Sequence, residues 1–96
     1  MLIHIVLFKL IDRSTERVQK VAEVLRGMEG KIPQLLHLEV GIDALHSERS
    51  YDVALFTKFA SIEDMQAYQI HPVHVEVAKY IMSVRESSVC VDYNSC

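Results

Sequence analysis

The run Leu2-Ile3-His4-Ile5-Val6-Leu7-Phe8-Lys9-Leu10-Ile11 decides the fold. Leu2, Val6, Phe8 and Leu10 occupy its even positions, and Ile3, Ile5, Leu7 and Ile11 its odd ones. Successive side chains of a strand point to opposite faces, so apolar residues at both parities describe a strand covered on both sides. Such a strand belongs at the centre of a sheet. Only His4 interrupts the even face, which directs an imidazole toward the core. Residues 51–59 repeat the pattern, with Val53, Leu55 and Phe59 set against Ala54 and Phe56.

Outward from these two strands, Leu36 to Ile42 alternates, with Leu36, Leu38, Val40 and Ile42 inward and His37 and Glu39 outward. That is the pattern of a half-buried antiparallel strand. The closing stretch Ser87–Tyr93 alternates Val89, Val91 and Tyr93. Val18, Val21, Ala22, Leu25, Met28 and Ile32 form one helical stripe, after cap residues at Asp12–Thr15 and before the stop at Pro33. Gly27 and Gly30 predict fraying near its end, and Asp43–Ser50 has no periodicity and reads as a loop. A second helical region opens at Ser61-Ile62-Glu63-Asp64, a capping box with Asp for Glu.

The order is therefore β-α-β-β-α-β over a single domain, residues 1–96, in the α+β class. A ferredoxin-like arrangement puts the first and third strands at the centre of a four-stranded antiparallel sheet, which matches their two-sided patterns. Helices then cover one face and leave Ile3, Ile5 and Leu7 on the other. Half of the 96 residues are hydrophobic, more than so small a domain can bury alone. Pairing two such sheets across a two-fold covers the second face and predicts a homodimeric α+β barrel.

Net charge is −3 with no basic cluster, which argues against a nucleic-acid partner. Leu2–Phe8 is too short to span a membrane and carries no basic leader. Cys90 and Cys96 lack metal-type spacing and fit reduced thiols, so a cytoplasmic protein with no membrane association is expected. No glycine-rich phosphate loop or dinucleotide fingerprint occurs, and no cofactor is expected.

The chemistry concentrates in Tyr68-Gln69-Ile70-His71-Pro72-Val73-His74. Pro72 suits the first turn of a helix and pushes His71 out of helical geometry, so one helix ends near Ile70 and another runs to about Ser83. On that second helix His74, Val77, Ala78 and Ile81 share one face, which aims a second imidazole at the core. A buried imidazole needs a partner or a ligand. His74 is then either a general base or a structural histidine bonded to a backbone carbonyl or to Tyr68. Tyr68 is either an oxygen-holding donor or a core aromatic, His4 either a pocket residue or a satisfied core histidine, and His71 a cap at the break. Zinc on His4, His71 and His74 requires adjacent helical turns to converge with a strand residue, and no metal site is expected.

These pieces resemble the stress-responsive A/B barrel (Dabb) domain over essentially the whole chain. The resemblance rests on His4-Ile5-Val6-Leu7-Phe8-Lys9, Ile32-Pro33, Leu38-Glu39-Val40-Gly41, Tyr51-Asp52, the Tyr68–His74 stretch and Val91-Asp92-Tyr93. It implies a ferredoxin-like protomer and a homodimer. Similarity to olivetolic acid cyclase-type proteins implies a pocket in which His74 is the base and Tyr68 and His4 line the site. A further pocket tyrosine of that protein has no counterpart, Leu25 or Arg26 standing nearest. The expected site is a small apolar cavity with catalytic His74, Tyr68 and His4, and with Val6, Phe8, Met65, His71 and Val77 contacting a carbonyl-containing ligand. Cofactor-free proton transfer alpha to a carbonyl, of cyclase, isomerase or lyase type, is the first functional reading. A non-catalytic ligand-binding or stress-protective dimer is the second, and a cofactor-independent monooxygenase or haem-type protein the third.

Overall fold

The computed structural model describes residues 1–95. Its elements are β1 (Leu2–Leu10), α1 (Thr15–Arg26), β2 (His37–Ile42), β3 (Val53–Phe59), α2 (Ile62–Gln69), α3 (Pro72–Val84) and β4 (Arg85–Asn94). The sheet order is β2-β3-β1-β4 and all three neighbouring pairs are antiparallel. This is the ferredoxin-like fold, with the two doubly apolar strands at its centre.

Parity then separates the two faces. Leu2, His4, Phe8 and Leu10 of β1 and Val53, Leu55, Thr57 and Phe59 of β3 are buried beneath the helices. Val18, Val21, Ala22 and Leu25 of α1, Met65 and Tyr68 of α2, and Ile81 of α3 close over them. On the opposite face, Ile5 and Leu7 stand in register with Phe56 and Ala54 on one side and with Val91 and Val89 on the other. Those four β1 and β3 residues are half-buried, and Val89, Val91 and Tyr93 are exposed. The protomer therefore carries a continuous apolar sheet face.

Each helix starts where its side chains supply a cap. The Ser14 hydroxyl accepts from the Arg17 N–H at 3.3 Å and Ser61 from the Asp64 N–H at 3.2 Å. Arg17 also donates to the Tyr80 hydroxyl at 3.1 Å, tying α1 to α3.

Several expectations are corrected. The stripe of α1 does not stay helical to Ile32: the helix ends at Arg26, and Met28 and Ile32 reach the core from turns. Gly30 has a positive φ of 78°, a conformation that breaks helical propagation and suits glycine. Leu36 and Ile42 are exposed although Leu38 between them is buried, because β2 is an edge strand and the layer covers only its middle. Cys90 is a free, exposed thiol on the other edge strand. Cys96 lies outside the described residues. No described helix is long and apolar enough to cross a membrane.

The 43–52 connection is tied down by charge. Asp52, almost fully buried, accepts from the Leu10 N–H and from Arg13 Nε, each at 2.8 Å. Arg13 Nη2 donates to the Ser47 and Ser50 carbonyls, both at 3.1 Å. One guanidinium thus holds the strand end and the loop together.

Candidate active site

The break between α2 and α3 builds the site. His71 is extended, with φ −65° and ψ 138°, and its Nδ1 accepts from the Val73 N–H at 3.1 Å. Pro72 then sits in the first turn, where its missing N–H costs nothing. The last carbonyls of a helix have no intrahelical partner, and that of Gln69 lies 3.0 Å from His74 Nδ1. A carbonyl only accepts, so Nδ1 of His74 carries the proton and the neutral ring leaves Nε2 bare. Burial lowers the pKa of His74, the Gln69 hydrogen bond partly opposes this, and the nearby His4 lowers it further. The result is a neutral imidazole with a free basic nitrogen.

Tyr68 is fully buried and its ring lies between Phe59 and His74, with centroids 4.8 and 4.5 Å away. Among the described residues its hydroxyl has one partner, Met28 Sδ at 3.9 Å, which is a weak acceptor. Buried hydroxyls normally find a better one. Burial also raises the phenol's pKa, so it remains an O–H donor. It is a poorly satisfied donor, held rigid by two rings.

His4 is 7% exposed and faces Asp92 across the β1–β4 register. Its Nδ1 bonds the Asp92 carboxylate, and the Thr57 hydroxyl donates to its carbonyl at 3.0 Å. A carboxylate on Nδ1 fixes an imidazole's tautomer and balances charge that builds on the ring.

A cavity of about 190 Å³ brings His4, Tyr68 and His74 together, with Val6, Phe8 and Val77 in its walls. This is below the roughly 300–1,000 Å³ of drug-sized sites. Met65 and His71 lie outside its lining. Met65 is part of the packed core, and the His71 ring is engaged in capping α3. Among the described residues no three His, Cys, Asp or Glu side chains cluster to hold a metal ion. A larger hollow, about 460 Å³, lies against Leu7, Gly41 and Ala54 on the open sheet face. It lacks the imidazoles, which line the smaller cavity.

Sequence reasoning missed two residues of this site. Asp92 reads as a strand-end residue until the register sets it opposite His4; its signal was an acid on the parity opposite Val89, Val91 and Tyr93. Arg85 also lines the cavity and carried no sequence signal, because a shift in strand register places it there.

Comparison with known proteins agrees with this architecture. Residues 2–95 match the model of the Stress responsive A/B Barrel Domain family, and the chain belongs to that family. It is 37% identical over 95 residues to the stress-response A/B barrel domain-containing protein DABB1 of Arabidopsis thaliana. That match covers 94% of this chain but 45% of the longer plant protein. A dimeric protein of unknown function and ferredoxin-like fold from Bacteroides fragilis superposes with a TM-score of 0.84 at 33% identity, covering 98% of this chain and 95% of that one. Hydroxynitrile lyase from Passiflora edulis superposes with a TM-score of 0.83 at 19% identity, covering 99% and 94%. At that identity the likeness speaks for the fold alone.

Proposed function

We propose that this protein is a homodimer whose protomers each bind a small carbonyl compound and move a proton at the carbon alpha to the carbonyl. The observation that carries the reading is the pairing of His74, neutral and bare at Nε2, with the under-bonded Tyr68 hydroxyl beside one small apolar cavity. His74 Nε2 takes the α-proton, and the C–H electron pair moves into the carbonyl to give an enolate. The Tyr68 O–H donates to the oxygen where that charge develops. His4, its Nδ1 held by the Asp92 carboxylate, orients the same ligand from the cavity wall. Aldol-type cyclisation, isomerisation and lyase reactions all pass through such a step.

The test is deuterium wash-in at the α-carbon of small ketones in D₂O, followed by NMR. The wild type is expected to accelerate exchange over buffer. His74→Ala should lower the acceleration by roughly 10²–10⁴-fold, the usual range for a general base. Tyr68→Phe should lower it while changing stability by less than about 1 kcal/mol, because only a thioether contact is lost. Full acceleration in His74→Ala removes the base assignment.

A second reading, a non-catalytic ligand-binding dimer, draws on the protein partner that each imidazole already has at Nδ1. It expects no wash-in by the wild type, and a loss of stability in His74→Ala.

A further inference from the structure

We propose that the cavity's ligand is an anion, its charged group paired with Arg85 at the mouth while its carbonyl lies within. This rests on the reading of the imidazole-lined cavity as a ligand site.

The register of the last strand is what puts Arg85 there. Along β1 and β4, Phe8 faces Ser88 and Lys9 faces Ser87. Continued unbroken, the ladder would set Leu10 opposite Glu86. Instead it shifts between Lys9 and Leu10, and Leu10 faces Arg85. Leu10 belongs to the buried, helix-facing row. The irregularity therefore exchanges an acid for a guanidinium on the cavity side, and Glu86 is exposed. Such shifts characteristically re-aim one side chain.

Arg85 is also uncommitted. Among the described residues its side chain makes no hydrogen bond and no ion pair, in contrast to Arg13 and Arg17. Among the described residues no carboxylate lines the cavity to neutralise it, and Asp92 is engaged by His4. Half-buried, it lines the cavity with Met82, which is 66% exposed. Tyr68, which lines the same cavity, is fully buried. A guanidinium offers planar paired donors to a carboxylate or a phosphate. The lining thus combines a fully buried oxygen-holding group with a half-exposed positive charge. Its size fits a short oxo acid, or the acyl end of a carrier thioester whose phosphate stays outside.

Binding distinguishes these sources without requiring turnover. Dissociation constants are measured by titration NMR for 4-oxopentanoate, 5-oxohexanoate and 7-oxooctanoate against their methyl esters. Acetoacetyl-coenzyme A is compared in parallel with its phosphate-free pantetheine thioester. The wild type should bind at least one acid, or the phosphate-bearing thioester, about tenfold more tightly than its uncharged counterpart. Arg85→Gln should erase that preference and Arg85→Lys restore part of it. A preference among the free acids identifies a carboxylate, and one confined to the thioester identifies a carrier phosphate. Equal affinity of charged and uncharged forms for the wild type, including no measurable binding of either, overturns the proposal. So does a preference that survives in Arg85→Gln. Preference for a charged form without deuterium wash-in leaves the anion site standing and removes the proton-transfer reading; wash-in without preference for any charged form does the reverse.

Discussion

His74 derives its character from two neighbours that only the helix break supplies. The Gln69 carbonyl holds the proton on Nδ1, while burial and His4 oppose protonation of the ring. Its pKa in the folded protein lies below the ordinary imidazole value of about 6.5, so the rate of α-deuterium exchange should fall only when pH drops below that value. Stability follows the same sign. Between the lowered folded pKa and about 6.5 the unfolded chain binds the extra proton, so stability declines as pH falls through that window and this contribution is flat above it. Urea melts at pH 5.0 to 8.0 check the second point, and His74→Gln should remove the group's share of the decline. Of the three imidazoles expected in the site, His4 and His74 meet at the cavity. His71 was legible as a cap because Pro72 follows it, and it does cap.

At the scale of elements, strand parity and cap residues located nearly everything. The first and third strands were recognisable because both parities are apolar, and Pro72 marked the boundary between α2 and α3. The end of α1 was harder to read: Met28 and Ile32 keep helical spacing by coincidence while reaching the core from turns. The 43–52 connection shows how a loop without periodicity is nonetheless fixed. Asp52→Ala would leave the buried Leu10 N–H unpaired, a loss of about 1–3 kcal/mol, readable as a lower urea midpoint. Arg13→Ala should cost at least as much, because it leaves the buried Asp52 carboxylate without its ion partner, and it should raise proteolytic nicking within residues 43–50.

For the whole molecule, the unresolved question of the sequence was where its surplus of apolar residues goes. The helices take one face of the sheet, and the other keeps Ile5, Leu7, Phe56, Val89, Val91 and Tyr93. An apolar area of this kind marks an interaction surface, and a second copy of the same sheet is its natural cover. Val91→Lys places a charge at the middle of that face and on an edge strand, where the protomer itself tolerates it. Sedimentation or native mass spectrometry should show the wild type with two chains and the variant with one, both folded by circular dichroism. A wild type that runs as a monomer overturns the pairing.

The sequence by itself determined the element order, the central strands, the helix break and the two imidazoles on core faces. Those follow from periodicity, proline geometry and capping, which act between residues near one another in the chain. It took the folded chain to show that Asp92 meets His4, that the Tyr68 hydroxyl reaches Met28 Sδ, and that Arg85 rather than Glu86 reaches the cavity. Each depends on strand register or on a turn's path, and a shift of one residue there reverses which side chain faces inward.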